Sequence, residues 1–185
     1  INTGKGTLTI NANNTWSFVP ASGLNNAGGV NVSFTLSAKD GDNDTSSATH
    51  TISVTDGSGP VVSGPNGGVI TLALDDQNLA GGSTPANPDF AQDAITFTAG
   101  SDAIASLKFG TDLSTLSTSA GLVWSRVSDT QIVGKIGATT VVTLDLTANA
   151  GNTTATVKAT LNSNYTGHTA LGDDLAALGS VKVVA

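Results

Sequence analysis

The sequence predicts an all-β chain, built as antiparallel β-sandwich with at most one short helix. Three observations carry this. Apolar and polar residues alternate in short runs, the signature of half-buried strands. Gly, Ser, Thr, Asn, Ala and Val dominate while aromatic residues make up only 4%, which suits strands joined by tight turns. All fourteen acidic residues are Asp and none is Glu, and Asp belongs in turns where Glu favours helix surfaces. With 185 residues, 38% of them apolar, the chain can bury a core, and its length suits one large all-β domain or one complete and one partial smaller one.

Taken in order, Leu8 and Ile10 alternate in a first strand, and Trp16 and Phe18 follow after the turn-forming NANN. Val32, Phe34 and Leu36 mark a third strand, and Ala48, His50, Ile52 and Val54 a fourth. Four strands in a meander are too few to close a sandwich alone. The stretch DGSGP, closed by Pro60, reads as a linker because Gly and Pro end pairing and redirect the chain. The pattern then resumes at Ile70, Leu72 and Leu74, at Ile95 and Phe97, at Leu107 and Phe109, and at Leu122 and Trp124. It continues through Ile132 to Ile136, Val142 to Leu146, Ala155 to Leu161, and Val181 with Val183, enough for a two-sheet sandwich. Residues 170–180, where Leu171, Leu175 and Leu178 recur at helical spacing, are expected to form at most two helical turns ended by Gly179. The proline-bearing stretch 75–90 is the expected long loop.

Charge narrows the partners. Seven basic residues against fourteen acids give a net charge of −7; the single Arg126 and this acidity exclude the counterion release that nucleic acid binding requires, and anionic lipid would repel the surface. Cys and Met are absent, so neither disulfides nor thiolate metal sites are available. No signal peptide opens the chain and no run of 18 apolar residues crosses a membrane. Because the first and last residues lie in strand-like patterns, the sequence reads as part of something longer, acting as a monomer.

Two segments resemble a known family. GKGTLTINANNTWSFVP is similar to the G-x-G-T-L-x-I-N-x-D-G-T-W-x-[FY] hairpin of the Ig-like and cadherin-like repeats in giant type I-secreted RTX adhesins of Gram-negative bacteria, with Asn13 and Asn14 where the family has Asp-Gly. VSFTLSAKDGDNDTSSATHTISVTDGSGP resembles the C-terminal end of the same repeats: Asp40, Asp42 and Asp44 fall on the three aspartates of the motif, Asp56 on its linker aspartate, and Asn43 replaces a Gly. Over residues 61–185 the resemblance is looser. It implies that 1–58 is the C-terminal half of one Ig-like repeat, 59–60 a linker, and 61–185 a second Ig-like sandwich lacking its last strand. It also implies an extracellular location on the bacterial cell surface, a role in attachment and biofilm formation, and neighbouring repeats of the same chain as partners.

The acidic residues supply the chemistry. Asp40, Asp42 and Asp44 stand at alternate positions on one tight loop, where their carboxylates can surround a hard cation at about 2.4 Å. A solvated turn using Asp for local backbone bonds is the other reading, but three neighbouring carboxylates repel without a cation, so calcium is expected. Position twelve of this loop is Thr51, so it is no EF-hand and another segment must complete the shell. In the family that segment is the preceding linker. Asp56, Asp75 and Asp76 are candidates for a junction ion, since alternation places Asp76 on the face of Ile70, Leu72 and Leu74. Asp173 and Asp174 serve equally well as a helix start.

The remaining candidates read as structural. His50 alternates with Ile52 and Val54, as a packed core or sheet-edge residue; His168 lies in a turn. Trp16 and Trp124 are expected as core anchors. NTGKGT lacks the spacing of a phosphate-binding loop. Neither a G-x-S-x-G elbow, nor H-E-x-x-H, nor a Cys nucleophile occurs, so no enzymatic activity is expected. The leading expectation is a calcium-stabilised structural segment of a cell-surface adhesin. The alternative is a module that presents or binds a cell-surface glycan, a peptide or ice, through an inserted domain, the 75–90 loop or the Thr-rich face of residues 139–162.

Overall fold

The computed structural model describes residues 1–13, 15–24, 28–167 and 176–185. It is all-β, with antiparallel pairing in every ladder and only short 3-10 turns between strands. The chain divides into two compact units: residues 1–59 with 100–103, and residues 60–99 with 104–185. Within the first, the amide of Ser101 donates to the carbonyl of Ser58 at 2.9 Å, which draws 100–103 in. The expected helix at 170–180, with Asp173 and Asp174, and His168 fall largely or wholly on residues 168–175, outside those described.

The first unit consists of two hairpins. β1 (Gly6–Ile10) pairs with β2 (Trp16–Pro20), placing Leu8 opposite Phe18 and Ile10 opposite Trp16 on one face. β3 (Val30–Lys39) pairs with β4 (Thr45–Val54) over ten residues. The anticipated meander is not formed, because β2 and β3 share no ladder. Burial centres on Leu8 and Val32. Trp16 stands edge-on to Phe34 with ring centroids 5.1 Å apart, and Phe34 stacks on His50 at 5.7 Å. Trp16 is nonetheless 38% exposed, and His50 is exposed too, although it shares the face of Ile52 and Val54. Two hairpins have too little apolar surface to enclose a large ring, so Trp16 is not the buried core anchor its alternation suggests, and His50 is a packed but exposed residue of a two-stranded sheet.

The second unit is a sandwich with unequal layers. Its main sheet runs in the order β5 (Val61–Val62), β6 (Phe90–Thr98), β11 (Thr154–Leu161), β10 (Thr139–Ala148), β9 (Gln131–Ile136), β8 (Val123–Ser128). Opposite it lies the short pair β7 (Lys108–Phe109) and β12 (Val183–Val184). Strand β11 shows the expected period of two most plainly: Ala155, Val157, Ala159 and Leu161 are buried and the residues between them half-exposed. A register shift between Thr140 and Val142 lets both Val141 and Val142 be buried, at 1% exposure each, as a bulge does. Trp124 packs against both clusters of buried side chains, one around Phe109 and Ile132, the other around Leu122 and Tyr165. Its ring lies over Gly134, its partner across β8 and β9, and its Nε1–H donates to the carbonyl of Ser117 at 2.9 Å.

Residues 70–74 differ from expectation. Ile70, Leu72 and Leu74 are half-buried and Thr71 and Ala73 exposed, as in a strand, yet the segment joins no ladder. The loop that follows, up to Phe90, is held by its own polar groups. Asn78 Nδ2–H donates to the Pro88 carbonyl at 2.9 Å and Thr84 Oγ1–H to Asn78 Oδ1 at 2.8 Å.

Candidate functional site

The turn joining β3 to β4 spans Asp40 to Asp44. Its closure follows from local chemistry: the Asp40 amide donates to the Asp44 carbonyl at 3.0 Å, and the Asp44 amide donates back to Asp40 Oδ1 at 2.9 Å. Asn43 adopts φ +79°, the left-handed region that Gly and Asn tolerate best. This geometry brings the ligand oxygens of Asp40, Asp42 and Asp44 within 4.8 Å of one another, all three side chains exposed. Among the described residues this is the one cluster of three His, Cys, Asp or Glu side chains that could hold a metal.

Asp40 carries the electrostatic signature of the turn. Hydrogen bonding to the Asp42 carboxyl holds its carboxyl below the usual 3.8, partial desolvation opposes this, and the main-chain amides of the turn add to the lowering. A hard cation needs six to eight oxygen ligands in the case of calcium; three carboxylates in one turn supply half of such a shell, and water or another oxygen donor would supply the rest. The donor set, all oxygen and all anionic, suits calcium better than zinc or copper.

The other acidic candidates divide between the two units. Asp56 lies in the first unit and accepts the Gly57 amide through Oδ1 at 3.0 Å. Asp75 and Asp76 lie in the second; Asp75 Oδ1 caps the 3-10 turn Asp76–Asn78 by accepting from the Gln77 amide at 2.9 Å. Asp76 is half-buried, on the face of Ile70, Leu72 and Leu74.

A surface not singled out from the sequence lies beside the acidic turn. On the exposed face of β3 and β4, Ser33 and Thr51 share a hydrogen bond of 2.9 Å, Thr35 and Thr49 one of 3.0 Å, and Ser53 donates to Asn31 Oδ1 at 2.9 Å. The signal was present as hydroxyls at every second position, but only the register shows that they face one another. The Thr-rich face of β10 and β11 is less uniform: Asp145 stands opposite Lys158 and accepts from Gln131 Nε2 at 2.8 Å, while Lys158 Nζ sits 4.0 Å from the centre of the Phe90 ring.

Residues 1–55 match the family model of the bacterial Ig domain. The match covers the two hairpins and the acidic turn. Bacterial Ig domains are in general non-enzymatic surface or structural modules. No curated protein and no solved structure matches the chain. Among the described residues no helix is long and apolar enough to cross a membrane.

Proposed function

We propose that this chain is a calcium-stabilised structural segment of an extracellular bacterial adhesin of the RTX type, built of Ig-like units. The observation that carries the reading is the convergence of Asp40, Asp42 and Asp44 on one hairpin turn, with ligand oxygens within 4.8 Å, inside a segment that matches a bacterial Ig domain. A cation there neutralises three adjacent charges and fixes the turn; without it they repel. The ion binds only the folded turn, so stability rises with the logarithm of calcium concentration. Calcium is scarce in the cytosol and abundant outside, so such a module is loose before export and stiff afterwards.

The test is thermal unfolding with calcium against chelator, on the native chain and on the triple variant D40N/D42N/D44N. Extracellular calcium modules bind at about 10⁻⁴–10⁻³ M. At about 10 mM calcium the linkage is then roughly 1.4–2.7 kcal/mol, an upward shift of about 6–22 °C in the transition of a unit this small. The triple variant should show no shift. An unchanged melting temperature in the native chain rejects the calcium reading and leaves the Ig-domain match untouched.

A further inference from the structure

The second unit holds an apolar cavity of about 170 Å³, lined by Ile70, Leu72 and Leu74 on one side, Val181 and Val183 on another, and Val157 and Ala159 of the main sheet as its floor. Two features make it more than a packing defect. Among the described residues, no main-chain N–H or C=O of residues 70–74 is hydrogen-bonded, although their burial alternates as in a strand. Across the cavity, β12 pairs with β7 along one edge alone. A cavity of this size is comparable with one that admits benzene, or two side chains the size of valine, and an extended segment with free main-chain groups calls for a strand beside it. The end of the segment is acidic, at Asp75 and Asp76.

We propose that the second unit is a β-strand acceptor. An extended segment of another polypeptide, with valine-sized apolar side chains at two alternate positions and a basic residue at the end nearest Asp75 and Asp76, pairs with the main chain of residues 70–74 and fills the cavity. The affinity comes from main-chain bonds and the selectivity from the two inward side chains, as in other cases of strand addition. The basic end answers the two aspartates and the chain's net charge of −7. This proposal is independent of the acidic turn in the first unit.

The test is amide hydrogen exchange of the full chain, resolved by residue, with four probes: the blocked hexapeptide KTVTVT, its isosteric control KTTTTT, an acidic-ended DTVTVT, and benzene. In the free protein the amides of Thr71, Leu72, Ala73 and Leu74 should exchange much faster than those of β10. The first peptide should slow them about tenfold or more, the acidic-ended one less, the threonine control not at all, and benzene should leave them fast. A159L, which fills the floor of the cavity, should abolish the peptide effect while retaining slow exchange in β10. Slow exchange at 71–74 in the free protein, equal effects of the valine and threonine peptides, or protection by benzene alone would each overturn the proposal; so would undiminished peptide protection in A159L.

Discussion

Single residues hold the turns and the seams of this protein. Asn43 sits at φ +79°, so Asn43→Ala should destabilise the β3–β4 hairpin by about 1 kcal/mol, whereas Asn43→Gly should be neutral or stabilising; chemical denaturation of the variants measures both. Gly134 is more exacting, because a Cβ there would come to 2.9 Å from the Trp124 ring. Gly134→Ala should therefore cost roughly 1–3 kcal/mol as the indole is displaced, with a shift in tryptophan fluorescence as its mark. Two carboxyls report on pH. The Ser114 hydroxyl, then its amide at 2.9 Å, and the charge of Lys182 hold Asp112 below 3.8, and Asp40 is lowered by its own turn. A lowered folded pKa means that the stabilisation is complete above the unfolded value and disappears as pH falls through the folded one. NMR titration should give both groups midpoints below 3.8, and Ser114→Ala should raise that of Asp112 alone.

Strands here succeed or fail by their partners. In the second unit β10 lies between β9 and β11, and its neighbour β9 contributes Ile132 at 0% exposure to the cluster around Phe109. Ile132→Ala should cost about 2–5 kcal/mol, read as a lowered denaturant midpoint with little change in slope. The same alternation at Ile70, Leu72 and Leu74 yields no strand, for periodicity states which side faces inward and not whether a neighbour stands alongside. The DGDND turn is legible because turn chemistry is local. Trp16 was misread for the converse reason: its alternation with Phe18 is correct, but burial needs a covering layer, and two hairpins supply little of one.

At the scale of the whole molecule, acidity and composition act together. Fourteen aspartates against seven basic residues give a pI near 4.3, and solubility should pass through its minimum near that pH, as turbidity against pH would show. The sequence by itself determined the all-β class, the positions of most strands and the three carboxylates of one turn, since side-chain period, turn propensity and spacing within five residues are properties of neighbours along the chain. Only the tertiary structure decided which strands pair, which aromatic rings stay exposed, and that a strand-like segment borders a cavity with its main chain unbonded. Those depend on groups far apart in sequence, whose meeting is set by the competition of all possible ladders for the same edges.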